Sequence, residues 1–339
     1  MPLSGSSSLA TVSSQFAGDW LTALRSCSSS SQLSSFLQRS GMDAVHGQPA
    51  HRVTLDQIVR LYQIAAVETG DEMMGLWSRP VRSRALQHLL TTVREASSLP
   101  SALHRFSTFW NLLLDDYRLS LVHHDGSIEL QLTPYADQLP QRFGHMLILK
   151  LAHGLLSWLA GYEVPVRSIQ FSFVRPEFAA DYSVIFPAKA GFQAPCSAIA
   201  FNTAELGPPG ARSSAEMKAF LDRAPRDWIF TSFHEHSQSL RIREFLYRTD
   251  WAHCHLAGAA KALKLTPRTL IRRLEAEDTS FQAIKDGLRR DIAIGDLQAG
   301  IKSIEEISQD VGFSSSANFH RAFRRWTGAT PSSYRRLPS

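Results

Sequence analysis

The segment from Phe313 to Gly328, FSSSANFHRAFRRWTG, places aromatic and cationic side chains at helical spacing. At about 100° per residue, Phe319, Phe323 and Trp326 fall within one narrow arc and predict a core-facing surface. The other side of the same helix carries Ala317, His320, Arg321 and Arg324. An arginine in the major groove can donate two hydrogen bonds to guanine O6 and N7. This segment alone is consistent with a helix that only holds a small core together and with one whose cationic face also docks onto an anionic partner such as DNA.

An upstream segment repeats the pattern: LAGAAKALKLTPRTLIRRLEAE aligns with IEEISQDVGFSSSANFHRAFRRW. Each copy predicts a short helix, a turn and a second helix, which is the helix-turn-helix pattern, at about residues 256–278 and 304–327. Thr266 before Pro267 is a typical helix start, and Gly312 is a typical helix end. The aligned positions include Leu270 with Phe319, Leu274 with Phe323 and Arg272 with Arg321. One basic amphipathic helix is common on protein surfaces, whereas two matched copies favour DNA binding.

The segment from Phe281 to Gly300, FQAIKDGLRRDIAIGDLQAG, connects the two copies and is predicted to be helical. A stiff connector would let two recognition helices enter successive major grooves, roughly 34 Å apart. Gly287 and Gly295 each lower its helix propensity by about 1 kcal/mol relative to alanine. We therefore expect a softened connector, with weaker control over the spacing of the two recognition helices.

Charge is distributed unevenly along the chain. The first 231 residues hold 19 basic and 19 acidic side chains of the totals of 36 and 31, so the remainder holds 17 basic and 12 acidic ones. The whole net charge of +5 therefore lies in the last third. A basic small domain beside a neutral larger one favours a polyanionic partner for the small domain.

The first two-thirds of the chain predict a mixed domain. From Phe16 to about Leu114 the apolar spacing is helical. YRLSLVHH and SIELQLTP then alternate around Asp125-Gly126, which predicts a hairpin with a type I′ turn. A helix over about Leu139 to Tyr162 and the strands SIQFSFV, YSVIF and SAIAF follow. The expected fold is α+β, with helices and a small antiparallel β-β-α-β-β sheet, joined to an all-α C-terminal domain with two helix-turn-helix motifs.

Composition also bounds the cellular setting. No stretch reaches the roughly 18 apolar residues of a membrane span, and the N-terminal residues lack the pattern of a signal peptide. Cys27, Cys196 and Cys254 are odd in number and far apart, which favours reduced thiols and a cytoplasmic location. The expected segments are a flexible N-terminus (1–15), an α+β domain (16–210), a linker (211–233) and a basic helical domain (234–337).

The C-terminal residues resemble the DNA-binding domain of AraC/XylS-family transcriptional regulators. The matching positions are Ile307, Gly312, Phe313, Ser315, Phe319, Arg321, Phe323, Gly328, Pro331, Tyr334 and Arg335. The resemblance implies that the outward turns of both recognition helices contact bases. Those turns carry Arg268, Ile271 and Arg272 in the first copy and Ser316, Ala317, His320 and Arg321 in the second.

Two positions depart from the family pattern. Ile271 stands where family members often carry a polar base reader, which leaves two alternatives for it: contact with a thymine methyl group or no base contact. Ser308 stands where a small alanine usually packs the helices of the second motif together.

The N-terminal domain resembles the sensor domain of the ornithine-utilisation regulator subgroup, often labelled "arabinose-binding". The resemblance implies effector sensing and dimer formation without identifying the effector. Arg175, Glu177 and Tyr182 in VRPEFAADY follow a predicted strand and are candidate effector-binding residues. A solvated turn with a surface ion pair is the alternative interpretation of that segment.

Other chemistries are weakly represented. The HEH and HCH triplets, with His234, His236, His253 and His255 around Cys254, invite a metal interpretation, but a metal needs three or four converging ligands and i, i+2 side chains on a helix diverge. We therefore expect no metal site. P-loop, dinucleotide and nucleophile-elbow motifs are missing, so neither a catalytic residue nor a cofactor is predicted.

The sequence predicts a transcription regulator, more specifically an activator. Its expected partners are double-stranded promoter DNA, RNA polymerase, an unidentified small-molecule effector and a second copy of the chain, with no membrane. A metabolite-binding protein or enzyme that carries a basic helical scaffold is the alternative.

Overall fold

The computed structural model describes residues 11–43, 52–135, 141–229, 238–251, 254–276 and 279–335. The chain divides into two compact units. Unit 1 contains the described parts of residues 1–14, 41–58 and 234–339, and unit 2 contains those of residues 15–40 and 59–233. Unit 1 therefore combines the basic C-terminal region with two segments from the N-terminal region.

Helices dominate both units. In chain order the strands are β1 (Thr11–Ser13), β2 (Arg52–Thr54), β3 (Tyr117–His124), β4 (Ser127–Pro134), β5 (Ser168–Gln170), β6 (Ala190–Gly191) and β7 (Ser197–Asn202). The helices up to the end of unit 2 are α1 (Gly18–Cys27), α2 (Ser30–Ser40), α3 (Leu55–Glu68), α4 (Ala85–Arg94), α5 (Leu99–Leu113), α6 (Arg142–Ala160), α7 (Tyr182–Ile185), α8 (Ser214–Asp222) and α9 (Arg226–Ile229). Those that follow in unit 1 are α10 (Gln238–Arg248), α11 (Leu256–Ala262), α12 (Pro267–Ala276), α13 (Phe281–Ala299), α14 (Ile304–Asp310), α15 (Ser316–Thr327) and α16 (Pro331–Tyr334).

Unit 2 contains a five-stranded sheet in the order β3-β4-β7-β5-β6. Its pairs are antiparallel except for β5 and β6, which are parallel. The mixed α and β character agrees with the sequence, but the purely antiparallel β-β-α-β-β pattern is wrong. YSVIF is helical in α7, not a strand. Tyr182 and Ile185 are buried while Ser183 between them is exposed, which is a helical period of three.

The hairpin between β3 and β4 forms where it was predicted. His124 pairs with Ser127 across the Asp125-Gly126 turn. Gly126 has φ +73°, but Asp125 is not among the residues with positive φ. A type I′ turn needs positive φ at both central residues, so the predicted turn type is wrong although the hairpin is right.

The central helix α6 is buried along almost its whole length. It is long and apolar enough to cross a membrane, but 89% of its apolar window is buried inside the protein, as expected of a core helix. Gly154 lies directly against α9, since an added Cβ would come within 2.6 Å of the Trp228 backbone. Trp228 is itself buried. Residues 211–229, expected as part of a linker, thus contain α8 and α9, and α9 packs into the core of unit 2.

The helices of unit 1 form two apolar cores. The first is built on α10 to α12 and includes Leu270 and Leu274; the second is built on α14 to α16 and includes Phe319 and Phe323. The long helix α13 contributes to both: Ile284 and Leu288 pack in the first core, and Ala293, Ile294 and Leu297 pack in the second.

A pair of short strands completes unit 1. β1 and β2 are antiparallel, with Thr11 opposite Thr54 and Val12 opposite Val53. Residues 11–13 were expected to belong to a flexible terminus, whereas they form a paired strand whose Val12 is buried. Residues 1–10 of that predicted terminus lie outside the described part of the chain.

Candidate nucleic-acid interface

The first helix pair of unit 1, α11 and α12, is fixed by its caps and its core. The Thr266 hydroxyl accepts a hydrogen bond from the Thr269 amide at 3.2 Å. Thr266 is therefore the N-cap of α12, as predicted. Lys264 in the turn has φ +56°. Leu270 and Leu274 are fully buried, and they hold one face of α12 against the first core.

The described residues on the opposite face of α12 are exposed to solvent. Arg268, Ile271 and Arg272 are all exposed, and Ile271 remains 42% exposed although it is apolar. The structure therefore presents the three candidate residues of the first copy on the solvent side of the helix. An exposed isoleucine between two arginines can contact a thymine methyl group.

The second helix pair, α14 and α15, turns at Gly312. Ser303 and Glu306 form a reciprocal capping box at the start of α14. Gly312 has φ +75°, and an added Cβ there would lie 2.5 Å from the Cβ of Trp251. Only glycine suits this position. The predicted end of the first helix of the pair is confirmed.

The aromatic face of α15 is a core face, as predicted. Phe319 and Phe323 are fully buried, with ring centroids 5.6 Å apart. Phe323 also meets the ring of Tyr334 edge-on at 5.2 Å. Trp326 is half-buried against the same core. These contacts fix the direction in which the other face of α15 points.

The outward face of α15 carries the second set of candidates. Ala317, Arg321 and Arg324 are exposed, and Ser316 and His320 are half-buried. Sequence reasoning missed Asn318, whose Oδ1 accepts a hydrogen bond from Arg321 Nη2 at 2.6 Å. Asparagine can pair with adenine through two hydrogen bonds. Its i, i+3 spacing from Arg321 was the signal that could have identified it.

Arg289 of α13 is a second residue that the sequence did not single out. Its guanidinium lies 4.9 Å from the ring centroid of Trp251 and 4.8 Å from that of Phe313. Its Nη2 donates to the Gly312 carbonyl at 3.1 Å. Burial lowers the pKa of Arg289. The side chain ties the connector to the turn in front of α15, and only tertiary structure reveals that role.

The histidine triplets have ordinary roles where they are described. His234, His236 and His253 lie outside the described residues. His255 caps α11, with its Nδ1 accepting from the Gly258 amide at 3.0 Å, and Cys254 is buried. Within the described ranges, no group of three or more histidine, cysteine or acidic side chains is arranged to hold a metal ion.

The three candidate effector residues differ in burial, although Arg175 and Tyr182 both contact the ring of Phe192. Arg175 and Glu177 are exposed, and the Arg175 guanidinium lies 5.6 Å from the ring centroid of Phe192. Tyr182 is only 2% exposed and packs against Phe171 with centroids 4.9 Å apart. Tyr182 is therefore a core residue, and its assignment to an effector-binding rim is wrong.

Unit 2 instead contains a buried polar cluster on α6. His153 Nε2 lies 2.9 Å from the Val164 carbonyl, so it carries the proton, and His153 Nδ1 accepts from Lys150 Nζ at 2.9 Å. Lys150 is fully buried. Burial lowers its pKa to about 7, although the nearby Glu163 acts in the opposite direction.

A second buried histidine, His145, lies more than one helical turn N-terminal to Lys150 on α6. His145 Nδ1 shares a hydrogen bond with the Ser197 hydroxyl at 2.7 Å. Burial lowers the pKa of His145 to about 4, so the ring is neutral at physiological pH. Sequence reasoning assigned no role to His145, Lys150 or His153, because a polar side chain within an apolar helix gives no sign of its partners.

Comparison with known proteins matches both parts of the chain. A profile of the family described as "Arabinose-binding domain of AraC transcription regulator, N-term" matches residues 32–209, and one described as "Helix-turn-helix domain" matches residues 259–337. The chain is 26% identical to the ornithine utilization regulator of Pseudomonas aeruginosa over 250 residues, 73% of each chain.

Two further similarities are shorter or more distant. The urease operon transcriptional activator of Escherichia coli is 40% identical over 107 residues, 32% of this chain and 36% of that relative. The crystal structure of the transcriptional regulator CdpR from Pseudomonas aeruginosa aligns with 95% of this chain and 97% of its own, at 20% identity and a TM-score of 0.33.

The N-terminal profile alone spans more than half of the 339 residues. The helix-turn-helix profile follows it along the chain and includes α12 and α15. The relatives named above are transcription regulators, not enzymes. The chain therefore belongs to the AraC family of transcriptional regulators, with an N-terminal ligand-binding domain and a helix-turn-helix DNA-binding domain.

Proposed function

We propose that the protein is a sequence-specific transcription activator that inserts both α12 and α15 into the major groove of promoter DNA. The observation that carries this proposal is that both helices bury one face in a core of unit 1 and expose cations on the other. Arg268 and Arg272 are exposed on α12, and Arg321 and Arg324 are exposed on α15.

The exposed residues of each helix are assigned to bases or to phosphates according to their position and chemistry. Arg272 and Arg321 occupy equivalent turns and are assigned to guanine O6 and N7, while Asn318 is assigned to adenine. Arg268 and Arg324 lie toward the helix ends and are assigned to phosphates, which position the protein without reading sequence. Ile271 is assigned to a thymine methyl group. His320, Ser316 and Ala317 complete the contact surface of α15.

Unit 2 is proposed to sense a small-molecule effector and to form the homodimer. The family to which residues 32–209 belong is described as a binding domain, which supports effector binding. The names of two relatives refer to ornithine utilization and to activation of a urease operon. They support a regulator of a metabolic operon, and we propose that it acts with RNA polymerase in the cytoplasm. The net basic charge of the last third supports promoter DNA as the partner.

Selection from a randomised duplex pool, with the full chain as bait, tests DNA recognition directly. The enriched duplex and a scrambled one are then compared over a salt series. We expect the enriched duplex to bind at least about a thousandfold more tightly, with a similar salt slope for both because phosphate contacts are shared. Equal affinity for the two duplexes would refute sequence-specific binding. The Lys218→Ala variant, which changes an exposed lysine on α8 of unit 2, should bind both duplexes as the wild type does.

A further inference from the structure

The strand pair β1–β2 is a part of unit 1 to which neither the sequence nor the family match assigns a role in DNA binding. It joins residues that are far from the helix-turn-helix segments along the chain, yet clusters with them in space. Val12 and Val53 face each other in the pair and are both fully buried. The pair is therefore packed into the unit.

Asp291 of α13 is the point at which the strand pair joins the helices. Its side chain is almost completely buried, and it accepts a hydrogen bond from the Thr11 hydroxyl of β1. It also forms ion pairs with Arg243 of α10 and with its neighbour Arg290, the latter at 3.0 Å. One carboxylate thus connects β1, α10 and α13.

Arg52 of β2 provides a second set of contacts. Its Nε and Nη2 donate to the hydroxyl and the carbonyl of Thr11 at 3.0 and 2.6 Å. Its own carbonyl lies 3.5 Å from Gln298 Nε2 of α13. The Arg52 backbone also hydrogen-bonds the hydroxyl of Tyr334, which is a buried residue of the second core.

These contacts lie where the two cores of unit 1 meet. Along α13, Leu288 packs in the first core and Ala293 in the second, so Asp291 is between them. Arg243 belongs to α10, whose Ile242 and Leu246 are in the first core. The strand pair consequently contacts α13 at Asp291, which in turn pairs with Arg243 of the first half, and it contacts the second half through Gln298 and Tyr334.

We propose that β1–β2 is a brace that sets the relative orientation of α12 and α15, with Asp291 as its positioning residue. This inference rests on the proposed function, in which both helices bind DNA at once. The brace lies at the junction of the two halves, and α13 carries glycines on both sides of Asp291. Because glycine softens a helix, contacts from outside α13 are needed to hold one spacing.

The test separates positioning from plain stability. The probe is the duplex enriched by the wild-type full chain. In it, the base pairs contacted by α12 and those contacted by α15 of one chain are called the two half-sites. Further duplexes have one or two base pairs inserted or deleted between these half-sites, and one duplex has a single half-site. Each base pair rotates one half-site by roughly 35° relative to the other, since a turn takes about 10 base pairs. We expect the wild type to lose at least about tenfold in affinity per altered duplex, or about 1.4 kcal/mol.

Thr11→Val and Asp291→Asn should flatten this spacing preference to less than about threefold, while the affinity for the single half-site stays unchanged. Thr11→Ser keeps the hydroxyl and should keep the wild-type preference. Asp296→Asn is the matched control on the same helix, because Asp296 pairs with Lys302 outside the junction, and it should also behave as the wild type. If Asp291→Asn fails to fold, Thr11→Val decides the question.

Each other outcome has one meaning. Unchanged spacing preference in Thr11→Val would overturn the brace, as would an equal loss of affinity for every duplex including the single half-site. A wild type that binds a selected site without any spacing preference would overturn the brace and leave DNA recognition intact. A wild type that enriches no sequence would overturn the proposed function itself.

Discussion

The arginines on the outward faces of α12 and α15 are expected to contribute to the discrimination between DNA sequences. Arg272→Ala and Arg321→Ala should each reduce discrimination between the selected and scrambled duplex by roughly 1–3 kcal/mol, at separate positions of the site. Binding titrations with single-base substitutions in the duplex measure this. Loss of affinity that is uniform over all substitutions would mean that the arginine contacts phosphate.

Phe323 lies on the opposite face of α15 from Arg321, so its replacement should act on folding. Phe323→Ala removes a fully buried ring and should cost about 3–5 kcal/mol of the stability of unit 1. Amide hydrogen exchange of α15 and α16 measures it, with Arg321→Ala as the control that leaves exchange unchanged. A stable Phe323→Ala beside an unfolded Arg321→Ala would mean that the two faces have been exchanged.

Ser308 places a hydroxyl in the interior of unit 1 at a cost in stability. Its side chain is almost fully buried, and among the described residues its hydroxyl has no hydrogen-bond partner. Ser308→Ala should therefore stabilise unit 1 by about 1 kcal/mol. Thermal melting measures this change, and amide hydrogen exchange of α14 locates it. The control Ser303→Ala removes a capping hydroxyl and should destabilise by about 1 kcal/mol.

Lys150 makes the stability of unit 2 depend on pH. Its folded-state pKa is about 7, whereas a lysine in an unfolded chain titrates near about 10.4. Between these values the unfolded state binds more protons, so stability rises with pH, by up to about 1.4 kcal/mol per unit. Urea unfolding at pH 7.5 and 9.5 should show this rise in the wild type, and Lys150→Met should abolish it. Lys218→Met changes an exposed lysine and should keep the rise, so loss of the rise in both variants would contradict the assignment to Lys150.

Helix ends could be predicted from the sequence where a capping residue next to the helix marks them. Thr266 caps α12 and Gly312 with φ +75° follows the end of α14, both as the sequence indicates. The sheet was only partly predictable, because its order depends on pairing between distant strands. Tyr182 shows the limit: from the sequence alone its apolar segment suits a strand or a buried helix equally well, whereas in the structure it begins the short helix α7 and packs among aromatic rings that include Phe171.

The softness of α13 can be tested at Gly295, one of its two glycines. An added Cβ at Gly295 meets no atom within 4 Å, so Gly295→Ala should stabilise the helix by about 1 kcal/mol, measured as slower exchange of its amides. Gly312→Ala is the contrasting substitution, because both its positive φ and the adjacent Trp251 oppose a side chain. Faster exchange in Gly295→Ala would show that the glycine is required for packing.

For the molecule as a whole, the linear division into sensor, linker and DNA-binding segments differs from the compact units. The sequence identifies α11 to α15 because helix periodicity and the repeat are visible along the chain. It gives no sign that Thr11 and Arg52 belong to the same unit, since three-residue strands carry too little pattern to be recognised. β2 is followed directly by α3, whose residues from Val59 onward belong to unit 2. The brace is thus covalently continuous with the proposed effector-sensing unit.

A single substitution in the brace can test whether the two units unfold independently of each other. Val12→Ala removes buried methyl groups and should destabilise unit 1 by about 1–3 kcal/mol. Because a chain with two compact units need not unfold as one, hydrogen exchange measured element by element is the suitable readout. Exchange should accelerate in α13, which the brace contacts, while α6 in the core of unit 2 keeps its protection. Equal acceleration in α6 would contradict the division of the chain into two units, and unchanged exchange in α13 would show that β1 does not support the connector.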